Sequence, residues 1–249
     1  MKMLVLDAVG RPVNERAREL TPQPAEPAAV LELISRMLPG QPAFDRVSVG
    51  FPGVVTRGVA MNAPNLGTEL WRGFRIQEEL QKLIEHPVRV INDADLLGYG
   101  AIRGDGVELV LTLGTGLGSA LFVDGRLVPN LEIGHHPFRK GKTYEDRVSD
   151  RQLKRIGKRR WSRRVAQAIQ QLERLFNYDM LFLGGGNVSN LKLELAPNVA
   201  VFDPVQGMQG GIRLWKDSLP EHASRKRKPR SASRSSARSD GVAENNGAV

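Results

Sequence analysis

The chain has 249 residues, enough for one large domain or two small lobes, and its 41% apolar and 25% charged content is that of an ordinary soluble protein. It has no cysteine, which excludes disulfides and thiolate sites, and neither an apolar signal core nor a run of about 18 apolar residues, so a cytoplasmic protein is expected. The formal charge of +9 raises the question of nucleic acid, but +4 of it sits in the last stretch, residues 221–249, outside the part that patterns as folded.

In chain order, MKMLVLDAVGRPV at the N-terminus reads as a strand and hairpin, PAAVLELISRML (27–38) as a helix and DRVSVGF (45–51) as a strand. A loop leads to a helix, RIQEELQKLI (75–84), a strand, VRVIND (88–93), and a short helix, ADLLGYGAI (94–102). Two apolar runs then flank a glycine-rich turn in LTLGTGLGSALFVDG (111–125), which reads as a hairpin of buried strands. Gly114, Gly116 and Gly118 let the backbone turn sharply with N–H groups exposed, as in an anion nest. No Gly-Lys-Ser/Thr follows, and Ser119 replaces the third glycine of a dinucleotide fingerprint, so a structural turn and a phosphate site remain open alternatives.

Residues 139–164 hold twelve Lys or Arg against three acids and pattern as a helix in their second half, either a solvated face or an anion-binding surface. A long amphipathic helix (164–176), strands at 178–186 and 198–203 and a final helix (210–219) follow. Residues 221–249 are Ser-rich and basic, with too little apolar surface to order themselves, and are expected to be a disordered tail without the aromatics of a nucleic-acid reader. Strands alternating with helices indicate an α/β fold with a largely parallel sheet. Ligands of such folds lie beyond strand C-termini, where GFPG, INDAD, GTGLG and GGGN all fall.

Asp93 ends a strand and opens a helix, so it is either an N-cap or a carboxylate able to take a proton from an attacking hydroxyl, with Asn92 beside it to hold that alcohol. Asp95, two residues on, points elsewhere and is a weaker candidate. Glu132 and His135 are three apart across a glycine and can reach one small polar ligand, whereas His86 and His136 read as structural. A lone Glu-x-x-His is too few ligands for a metal.

GFPG, APNLG with Trp71, INDAD, LTLGTGLGSALFVDG, LEIGHH, GKTYEDRVS and FLGGGN, in this order and spacing, resemble the sugar kinases of the repressor/open-reading-frame/kinase (ROK) family, in particular their glucokinase and polyphosphate-glucokinase branch. The resemblance runs from about residue 3 to 216. It implies the two-lobe, actin-like ATPase (ribonuclease H-like) α/β fold, with an N-terminal lobe at 1–91, a C-terminal lobe at 92–220 whose final helix packs back on the first, and the tail at 221–249. It implies a homodimeric hexose kinase acting on glucose, with Mg²⁺ and either ATP or polyphosphate as donor, and no membrane or specific nucleic-acid partner.

By the same resemblance Asp93 would be the general base and Asn92 would bind the reacting hydroxyl, while Asn65, Glu132, His135 and Glu145 would hold the other sugar hydroxyls. Gly114, Thr115, Gly116 and Gly118 would form the second phosphate loop, and Gly184, Gly185, Gly186 and Asn187 would lie against adenosine or its surrogate. Apart from the resemblance, the basic composition of the 139–164 block prompts the expectation that a polyanion such as polyphosphate lies along it. Two departures stand out. The family's zinc-binding cysteines are absent, and MKMLVLDAVGRPV matches the family's second strand, so its first strand and Asp-x-Gly-Gly-Thr loop are expected upstream of the written start. The alternative is a catalytically weak or inactive sugar-binding protein of the same family.

Overall fold

The computed structural model describes residues 1–216; the expected tail at 221–249 lies outside the described residues. The elements run β1 (Lys2–Met3), β2 (Ala17–Arg18), α1 (Pro27–Met37), β3 (Val47–Phe51), β4 (Val55–Thr56), β5 (Val59–Ala60), α2 (Thr68–Trp71), α3 (Ile76–Ile84), β6 (Val88–Asn92) and α4 (Asp93–Ala101). They continue β7 (Val107–Leu113), β8 (Leu117–Val123), β9 (Arg126–Val128), β10 (Pro137–Arg139), β11 (Lys142–Thr143), α5 (Tyr144–Val148), α6 (Asp150–Ile156), α7 (Lys158–Phe176), β12 (Met180–Gly184), β13 (Val199–Val201), α8 (Pro204–Met208) and α9 (Gly210–Arg213).

The main sheet has the order β13-β12-β7-β8-β9 and is mixed: β13, β12 and β7 run parallel, β8 and β9 antiparallel. The expected largely parallel sheet is thus corrected. The glycine turn between β7 and β8 is too short for the crossover that parallel pairing requires, so the chain folds straight back on itself. A second, two-stranded parallel sheet pairs β3 with β6 in register from Val47 opposite Val88 to Phe51 opposite Asn92.

Apolar side chains gather in two clusters. One, around Trp71, Leu80, Phe51 and Val90, fills the space between the β3–β6 sheet and helices α1 and α3. Pro27 opens α1 and Val30, Leu33 and Met37 form its buried stripe, the spacing of one helical face. Trp71 is completely buried, and its indole N–H donates to the Ala25 carbonyl at 2.8 Å. The other cluster packs Leu109, Leu111, Leu181 and Leu183 of the main sheet against Trp161, Val165, Ala168 and Leu172 of α7. Here the sequence-based division fails. The end of the basic run, from Lys158, and the amphipathic helix are one 19-residue helix, because Trp161 continues the apolar stripe straight through the arginines, while the earlier part of the run forms β11, α5 and α6. Of the final helix expected at 210–219, the described residues form only the short α9, and the short α8 ahead of it was not expected.

Helix α4 stands where these parts meet, packed on β3, β7 and β8 and under α8 and α9. Arg213 donates to the carbonyls of Tyr99 (3.0 Å) and Ile102 (2.6 Å) at the α4 C-terminus, where a cation complements the helix dipole. Ser48 of β3 donates to the Gly211 carbonyl at 2.7 Å and accepts from the Trp215 indole at 2.8 Å. These bonds tie the segment around α9 both to the C-terminus of α4 and to β3, and the N-terminus of α4 carries the site.

Candidate active site

Asn92, not Asp93, is the N-cap of α4, which corrects the structural alternative for Asp93. The Asn92 side-chain oxygen accepts from the N–H groups of Ala94 (2.8 Å) and Asp95 (3.2 Å), satisfying two helix-end donors. Its amide nitrogen donates to the Gly53 carbonyl at 3.2 Å and to Glu132 Oε1 at 3.4 Å. Both ends of the side chain are therefore engaged within the protein.

Freed from capping, the Asp93 carboxylate projects at the first turn of α4. Solvent reaches it, yet protein surrounds it on most sides, and this burial pushes it up to about 6. The Ala94 N–H opposes the shift and the Glu132 charge adds to it. A carboxylate near 6 is mostly ionised at neutral pH yet more basic than an ordinary carboxylate, the condition that suits a general base.

Glu132 is half-buried beside it, raised chiefly by burial, lowered by His135 and raised further by Glu145. His135 Nε2 lies 3.5 Å from Glu132 Oε2 and is open to solvent. Glu145, at the start of α5, accepts from the Leu117 N–H at 3.1 Å, so it touches the glycine hairpin and the acidic group at once. Asn65 lies exposed in the turn before α2. Asp93, Asn92, Glu132, His135 and Glu145 thus converge from β6, α4, the loop after β9 and α5.

The hairpin turn, Gly114 to Gly116, is closed by the Gly114 N–H donating to the Gly116 carbonyl at 3.1 Å. None of Gly114, Gly116 and Gly118 has a positive φ, so left-handed backbone is not the reason for these glycines. Close approach is: a Cβ on Gly116 would overlap Glu145 Oε2, and one on Gly118 would overlap Thr112 Oγ1 and press Ala94, next to Asp93. The hairpin therefore rests on the first turn of α4.

The second glycine stretch is stitched to the first. Gly185 has φ +89° and stands against the Leu113 carbonyl, a place no Cβ can occupy. The Asn187 N–H donates to the Leu113 carbonyl at 3.0 Å, and its side chain reaches the Gly114 carbonyl at 3.3 Å and Asp150 Oδ1 at 3.4 Å. Gly114 and Gly186 have open space where a Cβ would sit, which leaves a backbone-lined floor.

Two buried residues named in the sequence have places at the site that the sequence reading did not give them. Ser119 is 4% exposed; its hydroxyl donates to the Leu131 carbonyl at 2.6 Å and accepts from the Ile133 N–H at 3.2 Å, holding the chain on either side of Glu132. Asp95, on the first turn of α4, is 2% exposed. A polar residue at an inward position of an apolar strand was the available signal for Ser119. Among the described residues no three His, Asp or Glu side chains stand together as a metal cage, and no helix is long and apolar enough to cross a membrane.

The sequence pattern that defines the ROK family matches residues 1–144, more than half of the chain. The chain belongs to the ROK family. It is 33% identical over 205 residues to a polyphosphate glucokinase of Mycobacterium tuberculosis, a match covering 79% of this chain and 76% of the relative. It is also 33% identical over 187 residues to the polyphosphate glucokinase of Mycobacterium leprae, where the match covers 72% of this chain and spans only 57% of the relative's length. The crystal structure of the inorganic polyphosphate/ATP-glucomannokinase of Arthrobacter sp. strain KM superposes with a TM-score of 0.75 at 32% identity, covering 86% of this chain and 92% of that one. The fold is accordingly the actin-like ATPase fold of ROK sugar kinases.

Proposed function

We propose that the protein is a hexose kinase that transfers a phosphoryl group from ATP or polyphosphate to the terminal hydroxyl of glucose, working as a cytosolic homodimer whose lobes close on the sugar. The observation that carries this reading is Asp93: a solvent-reachable carboxylate with its proton affinity raised to about 6, one residue from the Ala94 on which the glycine hairpin rests. An acceptor base and a phosphate loop on the same helical turn are what an in-line transfer needs, since catalysis is then mainly positioning and charge neutralisation.

In this scheme Asp93 takes the proton of the attacking hydroxyl as the phosphorus–oxygen bond forms, and the donor leaves with the electron pair of the bond that breaks. Asn92 aligns Glu132 through its amide, and Glu132, His135, Glu145 and Asn65 accept or donate to the remaining hydroxyls. The hairpin N–H groups and the Gly185–Asn187 floor receive the donor phosphates. Mg²⁺ needs few protein ligands when donor phosphate oxygens supply the rest, and it would neutralise charge on the transferring group.

The relatives named polyphosphate glucokinase favour a polyanionic donor, and so does one cluster on the basic face. Arg164 is lowered first by burial and then by Arg147 and Arg155, all three of them cations, while the Arg147 Nε is buried without a hydrogen-bond partner. Crowded guanidiniums are relieved by an anion. Asp93→Asn tests the reading: phosphorylation should fall by about 10²–10⁴ with glucose binding retained. Unchanged turnover in that variant would overturn it, and sugar binding without any turnover in the parent chain would favour the non-catalytic alternative.

A further inference from the structure

We propose that Ser119 is a positioning residue for Glu132, its hydroxyl setting the backbone on both sides of that carboxylate. Ser119 sits on β8 opposite Leu111, on the strand face it shares with Leu117 and Leu121, both of which pack into the apolar cluster around Trp161. An alanine would fill this buried place about as well, so the hydroxyl is accounted for by the bonds it makes.

Those bonds go to a stretch, residues 129–132, that belongs to no strand or helix. Glu132 precedes a short 3-10 turn, Ile133–His135, and stands where a capping side chain would, yet its carboxylate caps nothing. The first N–H of the turn, that of Ile133, is a helix-end donor that the turn itself leaves over, and it goes to Ser119 Oγ at 3.2 Å. The same hydroxyl donates to the Leu131 carbonyl at 2.6 Å. One side chain thus fixes the peptide units before and after Glu132, and the carboxylate is left for Asn92, whose amide reaches it at 3.4 Å.

Two further contacts bound the same loop. Upstream, the Asn130 side chain pairs with both backbone groups of Val55, accepting from the N–H at 3.3 Å and donating to the carbonyl at 3.2 Å. Downstream, Gly134 lies so close to the Leu117 carbonyl that no Cβ fits. With both ends seated, the freedom that remains is at Glu132 itself, and Ser119 removes it before any ligand arrives.

This role rests on the assignment of Glu132 as a sugar ligand, so one arm of the test needs no turnover. Ser119→Ala deletes both bonds with almost no change of shape. Amide exchange on the whole chain should show Ile133 opening about tenfold faster in this variant, while the β7 and β12 amides keep their protection. In kinetics, Ser119→Ala should raise the KM for glucose about tenfold with a smaller loss in kcat, and leave the KM for the phosphoryl donor within about twofold of the parent.

Unchanged exchange at Ile133 in Ser119→Ala would overturn the proposal. So would equal rises in the KM for glucose and for the donor, or loss of protection throughout β7 and β12, which would make Ser119 a general stabiliser. If the parent chain phosphorylates no sugar, the kinase reading fails while the exchange arm still decides whether Ser119 fixes the backbone around Glu132.

Discussion

Asn187 donates to the carbonyl of Gly114 at 3.3 Å, so the two glycine-rich stretches, 73 residues apart in the chain, form one surface. Both of its side-chain bonds are long, the other reaching Asp150 at 3.4 Å, and each is worth about 1 kcal/mol at most. Asn187→Ala should therefore raise the KM for the phosphoryl donor by about fivefold to thirtyfold and leave glucose affinity unchanged, as measured by initial rates and by calorimetry.

Asp93 must be ionised to accept a proton, and burial raises it to about 6. The rate with glucose should climb as pH rises through 6 and level off above 7. A flat profile between pH 5 and 7 would assign the base elsewhere.

Asp95 gives a stability prediction of definite sign. Its proton affinity is higher in the folded protein than in the unfolded chain, where it stays near 3.8. The folded state therefore holds the extra proton between about pH 4 and 7, and the contribution of this residue to stability is fully present below that window and is lost as pH rises through it. Asp95→Asn should raise the melting temperature at pH 8 relative to the parent and lose that advantage at pH 5, which scanning calorimetry at the two values would read.

The glycines separate into two kinds under substitution. Gly116→Ala would push Glu145 aside, a flexible side chain, so the fold should survive while the KM values for sugar and donor both rise. Gly185→Ala combines a positive φ with a backbone obstacle at Leu113 and should cost about 2–4 kcal/mol, visible as a lower urea midpoint.

The basic face offers a donor-specific test. Replacing Arg147, Arg155 and Arg164 by Gln should raise the KM for polyphosphate at least about tenfold while the KM for ATP moves little, and the polyphosphate effect should shrink as salt is added. Equal changes for both donors would place the polyanion elsewhere.

The elements around Asp93 were legible because their signals are local. The helix at Pro27–Met37, the strand ending in Asn92 and the hairpin around Gly114 follow from apolar period, cap chemistry and turn residues within a dozen positions. The family likeness of the ordered motifs, and with it the convergence of Asp93, Glu132 and Glu145, was legible from their order. Boundaries failed where a long-range contact overrode local composition: the arginines of α7 read as a separate segment until Trp161 was seen buried against the main sheet.

What sequence could not decide was which of two neighbouring polar residues does which task. Asn92 and Asp93 are both good caps, and Asp93 and Asp95 are both acids on one helical turn. The chain alone determined that a cap, a carboxylate pair and two glycine turns exist. Tertiary structure gave the cap to Asn92, left Asp93 open to solvent beside Glu132 and buried Asp95, because hydrogen-bond partners and desolvation depend on residues nearly forty positions away that no local pattern records.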